Sequence, residues 1–263
     1  MFTYYGGKQR LASKILKLLP PHKIYVEPFC GAAALFFIKT PSDIEVLNDK
    51  NKYIVNLFRV LRGKGSTELI EKLELIPYAI EDFNRAREVL KCGEGSDVEL
   101  AWAFFVAVSM SFSGDFTNSS WKRAGRNSPK NNMPKTWRNR VDRLYIVVER
   151  LRMCQIECSD AIDIIKKYDS PDTAFYLDPP YLNADQGPYK GYSENEFSKL
   201  IECLNSLEGS FLLSNYENPF VPSDWEKHEF ETTVSARMTR REKVKEIIWR
   251  KVNGNSRRQF ELF

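Results

Sequence analysis

The run Ala174-Phe175-Tyr176-Leu177 leads straight into Asp178-Pro179-Pro180-Tyr181, and no other stretch constrains the chain as tightly. A short apolar run bounded by turn residues reads as a buried strand. It cannot continue past the aspartate. Neither proline offers an N–H, both fix φ near −65°, and each restricts the residue before it. The expected product is a stiff loop at the carboxyl end of a strand, with a carboxylate on one edge and an aromatic face on the other. Open α/β sheets bind their ligands at that end of their strands. Four residues alone also read as a proline turn with a surface tyrosine, so the rest of the chain has to decide.

The flanking pattern favours a sheet. Ile24 to Phe29 reads as a strand and Gly31 to Ile38 as the helix after it; Ile44 to Leu47 is a second strand, ending at Asn48-Asp49. Lys52 to Leu61 has helical spacing of Ile54, Val55, Leu57, Phe58 and Leu61. From about residue 65 to 150 strand signals vanish, and apolar spacing predicts helices, with Leu100 to Val108 and Val141 to Leu151 the clearest. Strands resume at Met153 to Cys158, Ala174 to Leu177 and Ser210 to Ser214, and His228 to Val234 with Lys245 to Val252 suit an antiparallel edge hairpin. The expectation is an α/β fold: a Rossmann-like sheet formed by 1–64 and 151–263, with a mostly helical insert at 65–150.

Charge marks the insert. Between Ser113 and Arg143 lie Lys122, Arg123, Arg126, Lys130, Lys135, Arg138, Arg140 and Arg143 against Asp115 and Asp142, a local +6 in a chain of net charge +4. A charge run is usually a solvated face. Here it is interleaved with Trp121, Trp137, Ser and Asn, a mixture suited to phosphate and base contacts. A smaller basic cluster runs from Arg237 to Lys245.

The five cysteines have no regular spacing, and neither histidine has a ligand-like neighbour, so no disulfide framework or metal site is expected. Cys154 and Cys158 share a strand face with Ile156 and read as buried thiols; without a Pro-Cys dipeptide, covalent attack on a cytosine ring has no nucleophile. No stretch reaches the roughly 18 apolar residues of a membrane span, and the N-terminus is unlike a signal peptide. The expected setting is a reducing, cytoplasmic compartment.

Three strand ends carry chemistry. Glu27-Pro28-Phe29-Cys30-Gly31-Ala32-Ala33 is a small-residue turn, and eighteen residues beyond Gly31 sits Asp49, placed to accept hydrogen bonds from ribose hydroxyls. With one glycine the turn suits a nucleoside better than a dinucleotide pyrophosphate. Ser159-Asp160-Ala161 puts another carboxylate after the third strand. Such a pocket fits S-adenosylmethionine: ribose on Asp49, adenine near Asp160, sulfonium near Asp178. Tyr4-Tyr5-Gly6-Gly7-Lys8 lacks the glycine and hydroxyl positions of a P-loop, but its lysine and aromatic ring can close over a ligand.

Together these motifs, with Asn48 to Asn51 and Leu212-Leu213-Ser214-Asn215, resemble the DNA adenine methylase family, α-class amino-methyltransferases. The order also matches, with the cofactor motif first, Asp178 to Tyr181 second and the basic insert between. The resemblance implies that Tyr4, Lys8, Gly31, Asp49 and Asp178 line an S-adenosylmethionine site, with Phe29 and Asp160 nearby. It implies that Asp178, Pro179, Pro180 and Tyr181 hold the target base, and that the insert reads double-stranded DNA through Lys122, Arg123, Arg126, Lys130, Arg138 and Arg140. A partner restriction endonuclease and a monomeric or weakly dimeric state are compatible with it. Two departures stand out. Ala33 replaces the usual second glycine, and the insert lacks the Gly-Glu-Phe-Asn-Val-Pro-type hairpin of enterobacterial enzymes that act on GATC, so the recognition sequence stays open.

The expected mechanism has Asp178 and a proline-loop carbonyl accept the two N–H bonds of the adenine amino group, aiming its nitrogen at the methyl group. Tyr181 stacks on the flipped base. If about six insert side chains meet phosphates, log K falls with log salt at a slope near −5. The competing readings are an amino-methyltransferase acting on RNA, and a DNA-binding module that needs no carboxylates at strand ends.

Overall fold

The computed structural model describes residue 8 and residues 11–114, 120–123, 132–182, 192–234 and 242–253. Among these residues seven strands form one sheet: β1 Ile24–Glu27, β2 Ile44–Asn48, β3 Gln155–Glu157, β4 Thr173–Leu177, β5 Ser210–Asn215, β6 Glu226–Val234 and β7 Glu242–Lys251. Their order is β3-β2-β1-β4-β5-β7-β6. The first five are parallel, and β7 lies antiparallel between β5 and β6. This is the expected Rossmann-like α/β sheet, with the chain reversing its direction of travel between β1 and β4. Loops diverge at such a reversal and leave a crevice outside the carboxyl ends of the strands.

The central strands are apolar without alternation because both faces are covered, and β4 and β5 are buried at every residue. One face, through Tyr25, Leu47, Tyr176, Leu212 and Ile248, packs into a cluster with the helices α2 (Lys52–Arg62), α3 (Ser66–Leu75), α4 (Ile80–Cys92), α5 (Asp97–Met110), α6 (Met133–Asp142) and α7 (Leu144–Leu151). The other face, through Val26, Val46, Phe175 and Leu213, meets α8 (Ala161–Tyr168) and α9 (Glu194–Asn205). A short helical run, α1 (Ala12–Ile15) continued as a tighter turn over Leu16–Leu18, precedes β1.

Within the insert α5 is buried almost all round, the mark of a helix inside a core. Ser96 caps its start by accepting from the Glu99 N–H at 3.2 Å. The expected helix over Val141 to Leu151 is two helices, with Arg143 between α6 and α7.

Two expectations are corrected. Residues Gly31 to Ile38 are consecutive turns, not a helix. Gly31 and Ala33 take left-handed φ values of 46° and 50°, which a right-handed helix cannot include. The segment is fixed instead by the Ala33 N–H on the Cys30 carbonyl at 2.6 Å and the Phe36 N–H on Glu27 Oε1 at 2.9 Å. Second, Cys154 and Cys158 do not share burial: β3 is only three residues long, so Cys158 falls in the loop beyond it and is exposed, while Cys154 is buried.

Candidate active site

Period-two geometry sets the site. At the crevice ends of β1, β4, β5 and β7 the residue in phase with the last apolar side chain facing the α2–α7 layer is polar. Tyr25 is followed by Glu27, Tyr176 by Asp178, and Leu212 by Ser214; on antiparallel β7, Ile248 is preceded by Glu246. Ser214 pairs with Ile248 in the ladder, which brings Glu246 to the same end of the sheet as Asp178.

Three of these groups, Asp178, Ser214 and Glu246, meet around Lys8 and Tyr181. Lys8 Nζ donates to Asp178 Oδ1 at 2.8 Å and Oδ2 at 3.0 Å, and lies 3.5 Å from Glu246 Oε1. The Tyr181 hydroxyl donates to Glu246 Oε1, and lies 3.1 Å from both Asp178 Oδ1 and Ser214 Oγ. Ser214 Oγ donates to Glu246 Oε1 at 2.8 Å. Lys8 Nζ also sits 4.9 Å from the centre of the Tyr181 ring, whose edge packs on Tyr216 at 4.7 Å. Burial disfavours the Lys8 ammonium, but Asp178 and Glu246 outweigh it and its pKa is raised. Burial, reinforced by Glu246, raises Asp178 against the pull of Lys8. Two carboxylates thus share one ammonium in a poorly hydrated place.

A second polar group occupies the neighbouring strand ends. Asp49 accepts from the Gly31 N–H at 2.9 Å and the Asn51 N–H at 2.8 Å, while burial raises its pKa. Each of its oxygens retains a lone pair for a ligand hydroxyl. Asn48 staples three loops: Nδ2 donates to the Pro28 and Ser159 carbonyls at 2.9 and 3.1 Å, and Oδ1 accepts from the Ser159 N–H at 2.9 Å. Asp160 caps α8 through the Ile162 N–H at 2.9 Å and keeps about half its side chain exposed. Phe29 packs edge-on against Tyr192 at 6.0 Å. Burial raises the Cys30 thiol far above its ordinary pKa and Cys154 to about 12, so neither is a ready nucleophile.

The basic insert is less uniform than its sequence. Arg140 turns inward, donating to the Ser109 carbonyl at 2.6 Å near the end of α5, and burial lowers its pKa. Lys122 is half-buried beside it, shifted down by burial and then by Arg140. Arg123 is exposed, 5.6 Å from the centre of the Trp121 ring, and Arg138 pairs with Asp142 at 3.1 Å on the α6 surface. Tyr4, Arg126 and Lys130 lie outside the described residues, as does the start of the basic cluster at Arg237. Among the described residues no cluster of three or more His, Cys, Asp and Glu could hold a metal ion, and no helix is long and apolar enough to cross a membrane.

Glu246 went unread in the sequence, although one signal marks it. It stands in phase with Ile248, directly before the apolar run Ile247-Ile248-Trp249.

Residues 4–246 match the profile described as D12 class N6 adenine-specific DNA methyltransferase. The chain belongs to that family. The matched span starts at Tyr4 and ends at Glu246, so it encloses the whole polar cluster. Among curated proteins, the chain is 25% identical over 230 residues to the modification methylase LlaI of Lactococcus lactis subsp. lactis, covering 81% of this chain and 36% of that protein. It therefore spans little more than a third of that relative's length. It is 24% identical over 265 residues to a DNA adenine methylase of Serratia marcescens, covering 92% of this chain and 94% of the other. Among solved structures it is similar to a putative methyltransferase, yhhF, of Escherichia coli, with 10% identity, TM-score 0.38 and coverage of 92% and 86% of the two chains. A similar overlap joins it to the rRNA methyltransferase aviRa of Streptomyces viridochromogenes, with 11% identity, TM-score 0.38 and coverage of 94% and 86%. The fold assignment rests on the strand order. Membership of the family makes the enzyme class an adenine-specific DNA methyltransferase.

Proposed function

We propose that this chain transfers a methyl group from S-adenosylmethionine to the exocyclic amino group of adenine in double-stranded DNA, at the crevice between β1 and β4. The observation that carries the reading is the placement of Asp178: a carboxylate at the end of β4, inside a family that methylates this amino group. The residues present fit the cofactor. Asp49 retains acceptor capacity for ribose hydroxyls, and the left-handed turn at Gly31 and Ala33 brings backbone rather than side chain to the crevice. Asp178 and Glu246 outnumber Lys8 in charge, which suits a sulfonium. When bound, S-adenosylmethionine supplies an electrophilic methyl group.

The protein's part is to position. Asp178 accepts a hydrogen bond from the adenine amino group, and the rigid Pro179-Pro180 loop fixes where that nitrogen lies. The Tyr181 ring supports the extruded base. Residues 65–150 serve as the target-recognition segment, with α5 also covering the sheet. Arg123 and Lys122 are its described candidates for phosphate contact.

Incubation with S-adenosylmethionine and unmethylated genomic DNA, then direct sequencing, tests base and context together, with total RNA as a parallel arm. Methylated adenine at a recurring DNA motif is the expected result. Methylation confined to RNA, or none despite cofactor binding, overturns the reading.

A further inference from the structure

Lys8 occupies both groups that an incoming adenine needs. Its ammonium holds Asp178 at 2.8 and 3.0 Å and also lies at the Tyr181 ring. A base that takes Asp178 therefore competes with the ammonium for it. A second carboxylate, this one buried, stands 3.5 Å from that ammonium: Glu246 on β7, only 5% exposed. It is held from the other side by Ser214 Oγ at 2.8 Å and by the Tyr181 hydroxyl.

We propose that Glu246 is a positioning residue for methyl transfer, receiving the Lys8 ammonium when the adenine amino group takes Asp178 and tethering the Tyr181 hydroxyl throughout. The proposal rests on the function proposed above. No covalent step is involved: the ammonium exchanges one carboxylate partner for another across less than a side chain's length. Without Glu246 the ammonium would have to leave Asp178 for a buried place with one anion fewer, and burial of an unpaired charge is costly. Fixing the Tyr181 hydroxyl also limits ring rotation, so the face presented to the base is set before it arrives.

Among the described residues the groups facing Asp178 are Lys8 from the N-terminal segment, Glu27 from β1, Tyr176 from β4, Tyr181 from the proline loop, Tyr216 just after β5 and Glu246 from β7. Among them Glu246 is a like charge that raises Asp178. Its removal therefore moves Asp178 down, which a merely structural defect would not do.

The test compares wild type with Glu246→Gln, which keeps the shape and removes the charge, using unmethylated genomic DNA and radiolabelled S-adenosylmethionine. Thermal melting and calorimetric cofactor binding accompany the kinetics. The expected variant is folded and binds cofactor more weakly, having lost one carboxylate beside the sulfonium, and at saturating cofactor its kcat is lower by at least about tenfold. The acid limb of its kcat/KM profile moves to lower pH. A kcat within about twofold of wild type, or an unmoved acid limb, overturns the proposal. If Glu246→Gln does not fold, Ser214→Ala removes one tether and leaves the charge; a several-fold fall in kcat with unchanged cofactor binding is expected, and an unchanged kcat overturns the proposal. Failure of wild type to methylate adenine overturns the function itself and this role with it, whereas an active wild type with an unaffected variant overturns this role alone.

Discussion

Glu27, buried, and Asp178, half-buried, are carboxylates at the ends of neighbouring strands, yet their surroundings give them different work. Glu27 accepts from the Tyr25 hydroxyl at 2.7 Å and the Phe36 N–H at 2.9 Å, and burial first of all raises its pKa to about 8. It is protonated at neutral pH and pins the turn that follows β1. Its folded pKa exceeds the ordinary value of 4.5, so its contribution to stability is complete below that value and is lost as pH rises towards 8. Glu27→Gln keeps an acceptor oxygen and removes the ionisation. Urea titrations between pH 5 and 9 should show wild-type stability falling with a slope of up to about 1.4 kcal/mol per pH unit from this group, and a flatter profile in the variant. Parallel profiles would show that Glu27 does not titrate in this range. Asp178, by contrast, faces a lysine and a ligand crevice. Asp178→Ala should lower methyl transfer by at least about a hundredfold while leaving duplex binding largely intact in gel-shift titrations; near-normal turnover would contradict its role. Asp178 was legible from the sequence because two prolines force a strand to stop at it. Glu246 was not, since its partners Lys8 and Tyr181 are distant in the chain, and only the register of β7 brings them together.

At the scale of elements, most strands were legible because a doubly covered sheet demands unbroken apolar runs, as in Thr173–Leu177 and Ser210–Asn215. The turn over Gly31 to Ile38 was not, because Ala32, Ala33, Leu35 and Phe36 carry helical composition while the backbone at Gly31 and Ala33 is left-handed. What holds that turn is tertiary. Glu45 on β2 takes Lys39 Nζ at 2.5 Å, and from α7 the Arg150 guanidinium at 2.5 Å; the same guanidinium lies 3.7 Å from the Phe36 ring. Burial works against the Glu45 carboxylate, but the two cations prevail and its pKa is lowered. Arg150→Ala removes the link between α7, β2 and this turn, and leaves the buried Glu45 carboxylate to Lys39 alone. It should cost about 2 kcal/mol in urea unfolding. A loss below about 1 kcal/mol would mean that the pair acts as an exposed one.

Across the whole molecule, the basic insert is where sequence and structure differ most in meaning. Charge alone counts every lysine and arginine as a potential phosphate contact. Folding commits one of them elsewhere: Arg140 turns inward and donates to the Ser109 carbonyl near the end of α5. Arg138 meets Asp142 only in an exposed pair one helical turn apart, worth roughly 0.3–0.5 kcal/mol, and can exchange it for a phosphate. Of the six basic residues named from the sequence, that leaves Lys122, Arg123, Arg126, Lys130 and Arg138. Five phosphate contacts give a slope of log K against log salt of about −4.5, where six give about −5.4. The two values are separable by fluorescence anisotropy on a labelled duplex between 50 and 200 mM salt, a range chosen because such slopes are resolved in it. The shallower slope is expected. Arg123→Gln should then reduce its magnitude by about 0.9 without changing thermal stability. Arg140→Gln should lower the melting temperature, because the Ser109 carbonyl loses its donor, and leave the slope in place. A wild-type slope near the steeper value, with Arg140→Gln lowering it, would show instead that this arginine leaves the helix end for the phosphate backbone when DNA binds.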